Sequence, residues 1–470
     1  MKSKIIIFGA GYYGTNAYYK LKDRYQIVCF ADNNSSIIGK EKCGIPVVGI
    51  EQLKEYDMLT TDIVICVREY NPICNQLLDM GITSYYIMLE GFLFHTDLQE
   101  TMFPIEIEEH GYYRKEQNEK NILFVQRAAC IRTHKIASVM KGRGYKVFLL
   151  YTVAPPLDDN KSFAEIYDQM WDFSTMNGIK KFIQNSDFDV VHCSNEPDML
   201  ANIANMTSKP IVFDTHDMQS IRGTVNIEQI VLEYCANTYS DGNLYTSDGV
   251  PEIAKAKYNL DPEKIFTLDN MILDEVPCTY KTKLSSIDGE VHCVYEGGIE
   301  GRDKGHHRYF EDIWMKLVDC GIHIHFYSQS DEAYCKKLAD KSPYLHYEGH
   351  LGSQDLINEM TQYDCGLAVF NVNERNRAFL ETGTANKVFE YLNSGIPVLV
   401  GDIHSYDQFV TKFGVGERVD LRGDIRKQVE KVCSIEIPKN ILKQNKLTMM
   451  SKGEELEKFY ERIIEQSKVK

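Results

Sequence analysis

The stretch from Asn386 to Asp402, Asn-Lys-Val-Phe-Glu-Tyr-Leu-Asn-Ser-Gly-Ile-Pro-Val-Leu-Val-Gly-Asp, constrains the fold of this 470-residue chain more than any other. Val388 and Leu392 share one helical face at i, i+4, Thr384 stands where a cap belongs, and Asn393-Ser394-Gly395 ends the helix. The apolar run from Ile396 to Val400 then predicts a parallel strand buried on both faces. Lys387 and Glu390, three apart, fall on a second stripe near the helix start. A helix N-terminus favours anions, Lys387 adds positive charge, and a carboxylate such as Glu390 can accept from two vicinal hydroxyls. A diphosphate at the helix tip with a ribose one turn further along fits that pattern. The alternative is an ordinary helix–strand unit with a solvated Lys–Glu pair.

Composition narrows the class of protein. A chain of this length accommodates three domains of ordinary size better than one. Its 43% apolar and 11% aromatic content is globular. A net charge of −16 argues against a nucleic-acid partner, which needs a basic surface. No apolar run approaches the roughly 20 residues needed to span a bilayer. Met1-Lys2-Ser3-Lys4 leads straight into a strand, so no signal peptide is expected. Thirteen cysteines are scattered without a Cys-x-x-Cys pair, several of them, such as Cys29, Cys66 and Cys365, inside apolar strand-like runs. They predict reduced core residues of a cytoplasmic protein rather than disulfides or a metal site.

From the N-terminus, the strand Lys4 to Phe8 runs into Gly9-Ala10-Gly11-Tyr12-Tyr13-Gly14, then a helix to about Lys22 and a second strand, Gln26 to Ala31, ending at Asp32. This is G-x-G-x-x-G in its proper strand–helix context, with an acid where a ribose hydroxyl would be met. Gly9, Gly11, Gly14 and Asp32 are therefore the candidate nucleotide-binding residues of a small Rossmann-like domain over 1–95. It resembles the N-terminal domains of bacterial sugar-modifying enzymes, which bind nicotinamide dinucleotide (NAD), a nucleotide-sugar or no known ligand. The Tyr18–Lys22 pair lies inside the first helix, a placement wrong for dehydrogenase chemistry. A polar, acidic linker over 96–119 follows.

Two further strand–helix series occupy 120–280 and 285–435. In the first, residues 127–146 hold Arg127, Arg132, Lys135, Lys141, Arg143 and Lys146 with no acid among them, a candidate surface for anionic lipid or an acceptor phosphate, or simply a solvated helix face. Asp187-Phe188-Asp189 leads into apolar residues and reads as a strand lead-in, not a metal site. His216 and Asp217 follow the strand Pro210 to Thr215, at the carboxyl end where open α/β sheets place ligands. In the second, the strand Val291 to Tyr295 precedes Glu296-Gly297-Gly298-Ile299-Glu300-Gly301-Arg302-Asp303-Lys304-Gly305.

These elements, with Gly383 and the 386–402 stretch, resemble in order the GT-B glycosyltransferases of the glycosyltransferase-4 type, especially the bacterial surface-polysaccharide branch with its K-x-x-E-Y-x-x-x-G-x-P-V pattern. The resemblance covers about 350 of the 470 residues. It implies an α/β fold of two Rossmann-like domains facing a cleft, here preceded by the small Rossmann-like domain and closed by a C-terminal helix over 438–468. It implies a donor site of Gly298, Arg302, Lys304, Glu381, Gly383, Thr384, Lys387 and Glu390, with the Arg302–Lys304 pair on the diphosphate. Where the family pairs two glutamates eight apart, Glu381 and Glu390 stand nine apart. His216 and Asp217 match its D-x-H-D motif and are the catalytic candidates, beside acceptor or transferred sugar. The implied activity is transfer from a nucleotide diphosphate-sugar to a glycan or lipid-linked acceptor, with retention and without a metal cofactor, in cell-surface polysaccharide synthesis. It would take place in the cytoplasm or at the inner face of the membrane. Competing readings are a non-catalytic nucleotide-sugar-binding scaffold and an NAD-dependent sugar oxidoreductase working through the N-terminal domain.

Overall fold

The computed structural model describes residues 2–96, 110–153, 161–222, 226–247 and 249–468. Part of the expected 96–119 linker lies outside them. The chain forms two compact units, one of residues 1–213 with 239–241 and 463–470, the other of 214–238 and 242–462.

The first unit holds two sheets. One uses β1 (Lys4–Phe8), β2 (Gln26–Ala31), β3 (Glu41–Lys42), β4 (Ile45–Val48), β5 (Thr61–Ile65), β6 (Tyr86–Leu89) and β7 (Phe92–His95) in the order β3-β4-β2-β1-β5-β6-β7. Only the edge pairs β3–β4 and β6–β7 are antiparallel. Strand periodicity divides its core: Ile5 and Ile7 pack with Ala17 and Leu21 of the first helix, whereas Ile6 and Phe8 pack with Leu53, Ile73 and Leu77 on the other face. The second sheet contributes β8 (Lys120–Gln126), β9 (Tyr145–Tyr151), β10 (Gln169–Asp172), β11 (Val190–Ser194) and β12 (Ile211–Thr215), ordered β10-β9-β8-β11-β12. These apolar runs are buried nearly end to end, as strands covered by helices on both faces must be.

The two sheets of this unit are pinned to each other. Lys20, buried, donates through Nζ to the carbonyls of Thr152 and, at 2.7 Å, Phe173. Thr152 Oγ1 donates to the Glu90 carbonyl (2.8 Å), and Arg127 pairs with Glu90 at 3.0 Å. The basic stretch 127–146 is thereby dispersed. Arg132 and Lys135 are buried, Arg127 is paired, and Lys141 bridges to Asp168 at 3.0 Å. Arg143 and Lys146 remain exposed. No single basic face results, so the surface reading for anionic lipid loses its physical basis. The helix here runs Ile131–Gly142.

In the second unit β13 (Gly242–Tyr245) pairs in parallel with β14 (Ile265–Thr267). A six-stranded sheet follows from β15 (Val291–Glu296), β16 (Ile322–Tyr327), β17 (Leu345–Tyr347), β18 (Cys365–Ala368), β19 (Val398–Val400) and β20 (Gly416–Arg418), all parallel, in the order β17-β16-β15-β18-β19-β20. The strand expected from Ile396 starts at Val398, because Pro397 has no N–H and offers only its carbonyl, which accepts from Gly366 at 2.8 Å. Gly366 is obligatory for another reason: a Cβ there would stand 2.2 Å from the Tyr391 ring of the helix above.

The expected C-terminal helix over 438–468 is broken. A short helix, Ile441–Gln444, is followed by a turn and then by the helix Gly453–Ser467. Glu275 accepts the Leu442 N–H (2.9 Å), and Phe459 stacks on Phe266 at 5.4 Å. Among the described residues no helix is long and apolar enough to cross a membrane.

Candidate functional site

A cavity of about 520 Å³ lies in the second unit, in the size range of small-molecule sites. Four short segments form most of it: the residues after β12, the glycine turn after β15, residues 306–308, and the segment Thr382–Lys387.

The helix Asn386–Asn393 supplies Lys387. It starts two residues after Thr384, at Asn386, and its cap position is Ala385, with no side-chain cap. Ala385 donates its N–H to Tyr406 Oη instead (2.9 Å), which frees Thr384 to line the cavity. Lys387 is 8% exposed. Its Nζ donates to the Glu296 carbonyl at 2.6 Å and sits 3.7 Å from the centre of the Tyr295 ring. An ammonium offers three donors, and among the described residues no carboxylate ion pair forms with it. Burial is the main cause that lowers its pKa to about 7; Arg308 adds to the lowering, and Glu296 opposes it.

The turn after β15 brings Arg308 against this lysine's surroundings. Gly297 adopts φ +121°, open to glycine, and a Cβ at Gly298 would stand 2.6 Å from Arg308 Nη1. The two glycines thus let a guanidinium lie against the backbone at the cavity wall. His307, packed toward Phe370 and Phe379, is held neutral, its pKa lowered to about 3 by burial and then by His306, Arg308, Arg222 and Lys387. Arg308 and Lys387 thus put two cationic side chains at one wall of the cavity, an arrangement able to stabilise negative charge there.

Near the end of β12, the wholly buried Asp214 carboxylate lies 3.1 Å from Nε2 of His216, just past the strand, and fixes that ring. The backbone carbonyl of His216 accepts from Thr246 Oγ1 at 3.0 Å. Asp217 also lines the cavity, but its carboxylate is engaged by Arg222 Nη2 at 2.5 Å.

Of the donor residues expected from sequence, Gly298, Gly383, Thr384 and Lys387 line the cavity. Arg302, Lys304, Glu381 and Glu390 are not part of the lining. Arg302 is 91% exposed, 3.8 Å from Asp331. Lys304 points over Tyr309, 5.9 Å from the ring centre. Glu381 accepts the His404 and Ser405 N–H groups at 2.7 and 3.3 Å and so caps the helix His404–Phe413, with Arg377 bridging it to Asp402. Glu390 is half-buried one turn past Lys387. Glu381→Ala is accordingly expected to cost about 1 kcal/mol of stability, a Tm fall of about 2–4 °C in a thermal melt.

In the N-terminal sheet, a Cβ at Gly14 would stand 1.7 Å from the Gly9 carbonyl oxygen, and Gly9 has φ +108°. Asp32 accepts the Ala10 N–H at 2.7 Å and the Asn34 N–H at 2.8 Å. Its carboxylate therefore ties the glycine loop to the end of β2.

Sequence reasoning missed Arg308, His307 and Arg222, and gave no role to Asp214, the first acid of the D-x-H-D motif. A signal for the first two was present: the run His306-His307-Arg308 directly follows Gly305.

Solved structures with the same fold include GT-B glycosyltransferases. Sucrose-phosphate synthase from Thermosynechococcus elongatus aligns over 74% of this chain and 100% of its own, with 10% identity and a TM-score of 0.54. A glycosyltransferase from Rickettsia africae aligns over 74% and 99%, with 13% identity and a TM-score of 0.52. The chain thus has an α/β GT-B fold. More particularly, residues 312–452 match the family model of the glucosyltransferase 3-like C-terminal domain, and residues 1–88 match the C2185-like N-terminal model. No curated protein matches the chain.

Proposed function

We propose that this protein is a glycosyltransferase that moves a sugar from a nucleotide diphosphate-sugar to a glycan or lipid-linked acceptor. One observation carries the reading: in a GT-B fold, Lys387 and Arg308 converge on a glycine turn in a cavity that also exposes His216. In this reading the cations hold the diphosphate, Thr382–Thr384 face the transferred sugar, and His216, oriented by Asp214, contacts sugar or acceptor. Glu390, one helical turn beyond Lys387, takes the ribose, and Arg302 and Lys304 lie outside the phosphate contacts.

The finer reading keeps the family resemblance: type 4, retention without a required metal, and a role in surface polysaccharide synthesis on the cytoplasmic side. The leaving phosphate would then act as base. Domains are proposed at 1–95, 120–280 and 285–435, with 96–119 as linker and 438–468 as the C-terminal segment. The inward use of Asp32 favours a structural N-terminal domain over an NAD-dependent oxidoreductase.

Calorimetric titration with UDP, GDP, ADP and TDP tests this. One nucleotide should bind, and Arg308→Ala should weaken it about 10- to 100-fold, the value of a charge-assisted hydrogen bond or two. Glu390→Ala should weaken it as well. Binding of none of the four, or unchanged affinity in Arg308→Ala, removes the donor-site assignment. Turnover of the matching nucleotide-sugar separates an enzyme from a binding scaffold.

A further inference from the structure

Four histidines stack on one face at the edge of the six-stranded sheet, away from the cavity. His292 on β15 stands in register with His323 on β16, and His325 on β16 with His346 on the edge strand β17. Ring centres are 4.5 Å apart for His292–His323 and 4.3 Å for His325–His346, both nearly parallel. Asp288, His292, His325 and Glu348 form one hydrogen-bonded chain, with contacts of 3.0, 2.9 and 2.7 Å in that order. His323 Nδ1 and His346 Nε2 form a separate contact of 2.9 Å.

We propose that this stack is an acid-sensitive latch, which holds the sheet edge and the glycine turn of the cavity together near neutral pH and loosens both as a further proton enters.

The proton count supports this. Three contacts among two carboxylates and two imidazoles need three protons, one more than two neutral rings carry, so that chain already uses a proton beyond its neutral count. The His323–His346 contact needs only one. A second proton there would put another positive charge face to face with the first. Both rings resist it: burial and then His325 and His323 hold His346 down to about 4, and burial and then His292 and His325 lower His323. The other groups facing the stack are acidic or aromatic. Glu290 faces His323 and pairs with Arg426 at 3.6 Å, while Tyr344 lies 4.4 Å from His323 and Tyr363 lies 4.7 Å from His325. Glu348 is kept ionised chiefly by its hydrogen bond from His325. Among the described residues no histidine, cysteine, aspartate or glutamate group has the geometry to hold a metal ion.

The sign follows from the lowered values. Unfolded histidine takes its proton near pH 6.5, so between about 6.5 and 4 the unfolded chain binds a proton that His346 refuses, and His323 acts in the same direction. Stability of this edge therefore falls as pH falls through that window, and levels below it.

Backbone contacts carry the loosening to the cavity. Glu348 N–H donates to Phe326 (3.0 Å) and Ser328 N–H to Gly349 (2.8 Å), while Tyr327 at the end of β16 accepts the Gly297 N–H at 3.0 Å. Ser330 Oγ accepts the Ile299 N–H at 2.8 Å. The residues that β17 holds in place thus hold the turn that lines the site.

Amide hydrogen exchange on the wild-type chain at pH 7 and pH 5, corrected for intrinsic rates, is the direct test. Protection at 345–349 and at 297–299 should fall at least tenfold more than protection in β1 and β5. Equal loss everywhere, or loss at 345–349 alone, overturns the latch or its coupling to the turn. In thermal melts, wild type should lose about 5 °C more than His346→Gln between pH 7 and pH 5. If that variant does not fold, His323→Gln serves the same comparison. Parallel losses overturn the proposal, as does a zinc-induced rise in Tm that His346→Gln abolishes, which would make the stack a metal site.

Discussion

Lys387→Met is expected to abolish nucleotide binding while making the empty protein more stable at neutral pH. The two effects share one cause. Lys387 is buried with a single carbonyl acceptor and an aromatic face for company, so its charge is solvated poorly. The group's pKa falls from an ordinary 10.5 to about 7 in the folded chain. A lysine lowered in this way carries a stability penalty that is fully present below pH 7 and disappears as pH rises toward 10.5, where neither state holds the proton. Methionine fills similar space without charge. Allowing for the lost contact to the Glu296 carbonyl, the gain at pH 7 should be on the order of 2–3 kcal/mol, read by denaturant unfolding, and should vanish at high pH.

A diphosphate would reverse the penalty by giving the ammonium its missing partner. Binding at pH 8 should then take up nearly one proton, and at pH 6 almost none, because the empty site is already charged there. Calorimetry in buffers of different ionisation enthalpy measures this directly. Uptake that does not change between the two pH values would mean that Lys387 is not the group meeting the phosphates.

Gly14→Ala should be strongly damaging to the N-terminal domain, and Gly11→Ala nearly silent. At Gly14 the new Cβ would meet the Gly9 carbonyl at 1.7 Å, a backbone atom that cannot swing away, whereas nothing lies within 4 Å of the same atom at Gly11. Gly9 is itself held by its N–H to the Ala31 carbonyl (2.7 Å). The first change should cost about 3 kcal/mol, a loss of at least about 6 °C, and the second less than about 0.5 kcal/mol. The pair also separates two roles for the motif. A glycine that serves helix–strand packing shows itself in stability alone, whereas one that lets backbone approach a phosphate shows itself in ligand binding. If the N-terminal domain held a nucleotide, Gly11→Ala would weaken that binding in a fully stable protein.

The order of the main elements is legible in the sequence because the central strands are apolar runs and the longer helices have a buried stripe, whereas polar edge strands such as Glu41–Lys42 and Gly416–Arg418 carry no such signal. Positions inside loops are not legible. Arg302 and Lys304 are the first cations after the glycines, yet the turn in which His306 N–H meets the Asp303 carbonyl (3.0 Å) reverses the chain and delivers Arg308 to the cavity. Counting along the sequence cannot show that reversal. The family resemblance places Glu381 at a sugar although it stands nine, not eight, before Glu390, but the bare N-terminus of the next helix captures it. The basic run 127–146 has no acids in sequence; its acids, Glu90 and Asp168, come from elsewhere in the fold. Lys20 looks like any solvated helix lysine until the carbonyls of Thr152 and Phe173 are seen around it.

That buried Lys20 bears on how the protein can be cut. A fragment beginning at Asn121 would leave the Thr152 and Phe173 carbonyls without their donor and Arg127 without Glu90. The first 95 residues alone would in turn strand a lysine in an apolar patch. Neither piece is self-sufficient, but each is the other's missing surface, so the two, expressed separately and mixed, should assemble without a covalent link. In such a split protein the first domain acts as a built-in chaperone for the sheet it covers, whether or not it ever meets a ligand.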